Sequence, residues 1–206
     1  MISITDLVKV YDGFRAVDGL SLQVDVGQIL GLVGPNGAGK TTTLRCLSGI
    51  IPPTSGQVTI AGFDLRTHPL EAKGRLAFVP DEPHLFDHLT AIDHLTLFAR
   101  IYGVADGAAR AESLLAEAEL VDQRLAFPSE LSRGMKQKLV VACALLHRPE
   151  ALVLDEPLTG TGPPLSGSLS RISWNGFRRS RPARPWRCWW CCRSGGYGRS
   201  ARHRSS

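Results

Sequence analysis

The chain has 206 residues, 43% of them hydrophobic, which suits one domain with a real core and room for a small subdomain. Its formal charge of +5 is unevenly spread: residues 1–160 carry 14 Lys+Arg against 19 Asp+Glu, while residues 161–206 carry ten Arg and no Lys, Asp or Glu. The globular part is therefore mildly acidic, so no nucleic-acid partner is expected, and no stretch approaches the roughly 18 consecutive apolar residues of a membrane span.

Ile2–Val10 and Leu20–Val26 alternate apolar and polar residues and predict strands. Gln28–Val33 is a short apolar run that predicts a buried strand ending at Gly34. Thr41–Leu47 suits a helix stopped near Gly49 and the Pro52–Pro53 pair. Gln57–Ile60 and Leu76–Val79 predict two further strands. From about Asp87 to His147 the pattern turns helical, with Leu114, Ala118 and Val121 on one face of a helix over Ala108–Leu120. Leu139, Val140, Cys143 and Leu146 repeat the pattern in a helix closed before Pro149, and Ala151–Leu154 is a strand again. A sheet core interrupted by a helical insert is an α/β architecture. Cys46 and Cys143 lie in apolar surroundings where small buried thiols are ordinary. The odd cysteine count argues against a disulfide framework. The opening residues do not read as a signal peptide, so a cytoplasmic protein is expected, with any membrane link made through a partner.

Three motifs carry chemistry. Gly34, Pro35, Asn36, Gly37, Ala38, Gly39, Lys40 and Thr41 fit G-x-x-x-x-G-K-[ST] at every fixed position. Glycines let backbone N–H groups curl around phosphate oxygens, and the helix that follows presents its positive end to the same anion. Thr42 belongs to that helix start and joins the phosphate-binding set. Lys40 can reach β and γ phosphates, and the Thr41 hydroxyl can hold Mg²⁺. The alternative is a glycine-rich turn with an exposed lysine. Further on, Ala151-Leu-Val-Leu-Asp155-Glu156 is an apolar strand tipped by two carboxylates. Asp155 can support Mg²⁺ and Glu156 can polarise an attacking water, although acidic residues often end strands for no catalytic reason. Leu131-Ser132-Arg133-Gly134-Met135 opens a helix, for which a simple Ser N-cap is the plain reading.

Taken in that order, these motifs are similar to those of the ATP-binding domains of ABC transporters, which the chain resembles from its N-terminus to about Gly160. The resemblance implies an α/β P-loop NTPase core with an N-terminal antiparallel β region and a helical subdomain over about 87–147. It further implies ATP and Mg²⁺ as ligands, ATP hydrolysis, a separate transmembrane permease, looser likeness to the ABC-2-type exporters, and a location on the inner face of the cell membrane. The family signature LSGGQ stands here as LSRGM, so Ser132 and Gly134 are expected to contact the γ-phosphate bound by a second subunit in a dimer closed over two ATPs. Tyr11 lies where the family places an aromatic that stacks on adenine; a half-buried strand tyrosine is the alternative. Asp81 stands where glutamine is usual and could reach Mg²⁺ directly or through water.

After Gly160 the family continues with Leu-Asp-Pro, the D-loop, and later a strand ending in a switch histidine. This chain reads Thr161-Gly162-Pro163-Pro164. Leu-Asp-Pro-Pro written CTG GAC CCC CCN becomes Thr-Gly-Pro-Pro once a single A precedes it. The tail, 161–206, holds all four Trp, ten Arg and no acid, as an out-of-frame reading of GC-rich DNA would. A frameshift near codon 161 is the expectation, with an unstructured tail, an incomplete C-terminal part, apolar sheet surface left exposed and impaired hydrolysis. The rivals are a genuine Arg/Trp tail for RNA or anionic lipid and a zinc pair at Cys188 and Cys191 that lacks a second pair.

Overall fold

The computed structural model describes residues 1–155 and the strand Cys188–Arg193. Among them are two four-stranded sheets. The first is antiparallel and ordered β2-β1-β4-β5, from β1 (Ile2–Tyr11), β2 (Phe14–Val24), β4 (Ser55–Ile60) and β5 (Phe63–Asp64). The β1–β2 turn is Asp12-Gly13, both with positive φ, 46° and 85°. That is the backbone a two-residue hairpin needs to match strand twist, and it carries β2 back to Phe14, well before the predicted start at Leu20.

The second sheet is parallel, ordered β3-β8-β7-β6, from β3 (Ile29–Gly34), β6 (Leu76–Val79), β7 (Ala151–Leu154) and β8 (Cys188–Arg193). No strand is predicted in the tail, and here the structure differs: β8 pairs Ile29 to Gly34 on one side and Leu152 to Leu154 on the other. A gap between β3 and β7 would leave two open ladders of backbone donors and acceptors, and Trp-rich segments have strand propensity. The remaining tail residues lie outside those described. Parallel strands are ordinarily covered on both faces, yet Ile29 and Val33, on one face of β3, stay 65% and 75% exposed. Among the described residues nothing covers this apolar face of β3.

Helix α1 (Lys40–Leu47) follows β3 and ends where Gly49, at φ 66°, sends its N–H to Cys46 O while the Ile50 N–H reaches Arg45 O. These paired bonds satisfy the last carbonyls of the helix and explain the stop at Gly49. α1 buries Leu44, Cys46 and Leu47 against Ile2, Ile4, Leu7 and Val24 of the antiparallel sheet and Val153 of β7. α2 (Pro69–Gly74) is a short helix that the sequence does not announce.

The helical insert holds α3 (Ala91–Ile101), α4 (Gly107–Glu117) and α5 (Arg133–Leu145), packed around Leu95, Leu114, Leu115, Leu120 and Leu139. Val79 and Leu154 from the parallel sheet join this second core, so the insert is anchored directly behind the sheet's C-terminal edge. Burial pushes the Cys143 thiol up to about 12 and raises that of Cys46 as well, so both stay protonated and serve as small apolar fillers.

His147 closes the junction between insert and sheet. Its ring stacks on Tyr102 at 3.9 Å, and its Nε2 lies 3.2 Å from the Leu76 carbonyl. A carbonyl can only accept, so Nε2 carries the proton. Nδ1 is buried with no hydrogen-bond partner among the described residues. Burial holds the imidazole below its ordinary 6.5, against the opposing pull of the Leu76 bond. The unfolded chain therefore takes a proton that the folded chain resists. Stability is full above 6.5 and falls as the pH drops below it. Denaturant unfolding across that range should show the decline, and His147→Phe should flatten it.

Candidate functional site

In a parallel sheet every strand ends on the same edge, and loops beyond the carboxyl ends form the natural ligand crevice. Here that edge carries Gly34 at the end of β3, Asp155 after β7, and Pro80-Asp81 after β6. β6 and β7 run in register, Val79 beside Leu154, and the Asp155 N–H donates to Val79 O at 2.9 Å. Three motifs far apart in sequence thus converge.

The loop between β3 and α1 is shaped by Gly37 (φ 81°) and Gly39 (φ 77°), both left-handed. Gly39 caps α1 without any side-chain hydrogen bond. The first amides of α1, those of Lys40, Thr41 and Thr42, have no intrahelical acceptor and are available to an anion. Gly39 also lies against β2: a Cβ there would stand 2.1 Å from Ala16 O. Sequence reasoning missed this wall. The Asp12-Gly13 turn was its available signal, because it fixes the strand on which Ala16 sits.

Lys40 is only 7% exposed, and its ammonium donates to Gly34 O at 2.8 Å and Pro35 O at 2.7 Å. The lysine folds back over the loop, which excludes the reading of an exposed side chain on a plain turn. The Thr41 hydroxyl donates to Asp155 Oδ1 at 3.2 Å, and Asp155 is 4% exposed. A hydroxyl and a carboxylate oxygen this close, beside unsatisfied amides and a buried cation, suit Mg²⁺ with a polyphosphate. Asp81 stands on the same edge, two residues beyond Val79. Glu156 lies outside the described residues.

The remaining predicted residues lie elsewhere. Tyr11 ends β1 beside the hairpin turn, partly exposed, with the Lys9 ammonium 4.9 Å from its ring centroid. The β2 strand of that hairpin is the one resting on Gly39. Ser132 is the N-cap of α5; its hydroxyl accepts from the Met135 N–H at 3.2 Å. Gly134 has open space where a Cβ would be. Both occupy the exposed start of α5.

The model for the ABC transporter family matches residues 17–159. The chain belongs to that family. Among curated ABC relatives, it is 44% identical over 157 residues to the Nod factor export ATP-binding protein I of Burkholderia pseudomallei, covering 75% of this chain and 52% of that one. It is 40% identical over 163 residues to the bacitracin transport ATP-binding protein BcrA of Bacillus licheniformis, covering 79% and 53%. The chain thus spans about half the length of these ABC relatives. A solved ATP-binding subunit of an ABC transporter superposes with TM-score 0.82 at 29% identity, over 94% of this chain and 80% of that one. A dimeric ATP-binding cassette in a post-hydrolysis state bound to ADP and Pi shares the ABC fold at TM-score 0.79 and 22% identity, over 93% and 88%. Among the described residues no helix is long and apolar enough to cross a membrane.

Proposed function

We propose that this chain is the ATP-binding subunit of an ABC transporter, binding Mg²⁺·ATP between the P-loop and Asp155. The observation that carries the reading is the Thr41–Asp155 contact of 3.2 Å, made across 114 positions of sequence. It joins the helix that receives phosphate to the strand tip that supplies a carboxylate. Asp155→Asn keeps the size and the hydrogen bond but removes the charge. It should weaken ATP binding in Mg²⁺ by about tenfold, the worth of one charge-assisted interaction, and change it little in EDTA. Titration calorimetry under both conditions decides; an equal loss in both refutes a metal role for Asp155.

The same reading assigns each residue a role. The α1 amides and Lys40 bind and orient the phosphates. Thr41 and Asp155 would hold Mg²⁺, with Asp81 on the same edge within the set. An ion bound there would supply positive charge against the charge that develops on the transferred phosphoryl group. Glu156 orients the attacking water as general base. The exposed face of Tyr11 receives adenine, and Ser132 with Gly134 reaches the nucleotide of a second ABC domain in a dimer. The dimeric state of one structural neighbour supports that partnership. A membrane permease as partner and a peripheral location on the inner membrane face follow the transport names of the relatives.

A second reading is a nucleotide-binding chain that does not hydrolyse. Thr161-Gly162-Pro163-Pro164 in place of a D-loop, the acid-free tail, and exposed Ile29 and Val33 favour it. ATP binding without turnover supports this reading, and turnover equal to that of an intact subunit overturns it. A coding sequence with no D-loop in any frame after Gly160 overturns the frameshift.

A further inference from the structure

We propose that Lys9 is a positioning residue for the nucleotide base: its ammonium, held by the Pro52 carbonyl, backs one face of the Tyr11 ring and so directs the base to the other. This rests on the reading above that Tyr11 receives adenine.

Lys9 and Tyr11 stand two residues apart near the end of β1, the spacing that sets side chains on one face of a strand. The Lys9 ammonium donates to Pro52 O at 2.9 Å and lies 4.9 Å from the Tyr11 ring centroid, within cation–π reach. A lysine stem is flexible, so its charge stays in one place only where something holds it. Here the carbonyl does. Pro52 and Pro53 stiffen the segment that leaves α1. Thr54 then pins that segment to β1 twice: its N–H donates to Val8 O at 2.8 Å, and its hydroxyl accepts from the Val10 N–H at 3.0 Å.

The same segment is tied to α1, since the Ile50 and Ile51 amides both donate to Arg45 O in its last turn. Burial raises the Cys46 thiol in that turn, and the Lys9 charge opposes the rise. The carbonyl that holds Lys9 therefore belongs to the far end of the helix whose first amides face the phosphates. Through it the base platform and the phosphate loop share one frame. The effect on the ring is electronic as well as steric. Two aromatic faces set parallel repel through their π clouds. A cation on one face draws that density toward itself and leaves the other face less negative, which favours a stacked base. Tyr11 stays 43% exposed, so the ring remains open to a ligand.

The test compares ATP with tripolyphosphate, which keeps the phosphates and lacks the base, by titration calorimetry of the full chain in Mg²⁺. Lys9→Met keeps the apolar stem and removes the charge. Its ATP affinity should fall about fivefold, the scale of one cation–π contact, while its tripolyphosphate affinity should not change. Lys9→Arg supplies both a donor and a cation and should restore ATP binding. In a Tyr11→Leu background, Lys9→Met should cost no further ATP affinity, because the ring through which it acts is gone. Should Lys9→Met fail to fold, Lys9→Gln keeps a donor for Pro52 O without the charge and must show the same selective loss. An equal loss for ATP and tripolyphosphate means that Lys9 serves the phosphate loop or the fold alone, and it overturns the proposal. Unchanged ATP affinity in Lys9→Met, or additive losses in the double variant, does the same. If Tyr11→Leu alone leaves ATP affinity intact, the adenine reading of Tyr11 falls, and this inference with it.

Discussion

Gly39→Ala should abolish tight ATP binding while leaving the chain folded. Gly39 sits at φ 77°, and an alanine in the left-handed region costs about 1–2 kcal/mol on its own. The larger effect is steric. The added Cβ would stand 2.1 Å from Ala16 O and 3.3 Å from Val17 Cγ2. Ala16 cannot retreat, because its neighbours Arg15 and Val17 are paired with Val10 and Lys9 across the hairpin. The loop must move instead, which carries the α1 amides and Lys40 off the phosphate position. A loss of about 3 kcal/mol, near a hundredfold in affinity, is the expected scale. Circular dichroism should remain unchanged, since the loop meets the core at the Val17 side chain alone among the contacts of the added Cβ. Gly34→Ala is a graded control, as among the described residues its Cβ would meet only the Ala38 side chain at 3.3 Å. Gly134→Ala meets nothing and should leave nucleotide binding by a single chain intact. Equal affinities for Gly39→Ala and Gly134→Ala would contradict this account.

Much of this site is legible in the sequence because phosphate chemistry needs residue types at fixed spacing. Gly34 to Thr41 and the run into Asp155 are local patterns, and the fold brings Thr41 and Asp155 into contact. Ser132 is legible as a cap, and it does cap α5. Less legible are features that depend on distant backbone. The Gly39–Ala16 contact arises from the crossing of a loop over a strand, which no periodicity reports. The start of α3 at its Thr90–Asp93 cap is not among the predicted features, and the contact of His94 Nε2 with the Phe86 N–H depends on how a proline-bounded segment folds back. Short elements such as β5 and α2 bury too little to leave a pattern. β8 is the extreme case. Its residues CWWCCR have no alternation, and its place between β3 and β7 is decided by the open ladders on both sides.

Lys40→Met should remove binding energy and turnover to different degrees, because the ammonium serves two functions. In the structure it holds Gly34 O and Pro35 O at 2.8 and 2.7 Å, which draws the loop closed around it. Toward a nucleotide it offers charge to the β and γ phosphates. Methionine preserves most of the buried stem volume, so the fold should persist. A charged hydrogen bond contributes roughly 1.5–3 kcal/mol, so ATP affinity should fall about 10- to 150-fold. ADP lacks the γ-phosphate and should lose less, so the ATP-to-ADP preference should narrow. Any turnover should fall further still, since charge on the transferred group grows toward the transition state and fixed cations act most strongly there. Lys40→Arg should not rescue. The ammonium fits between two carbonyls in a site only 7% exposed, and a planar guanidinium is too broad for that place. Equal losses for ATP and ADP would mean that Lys40 acts through loop shape alone, and the phosphate role would then fall to the α1 amides.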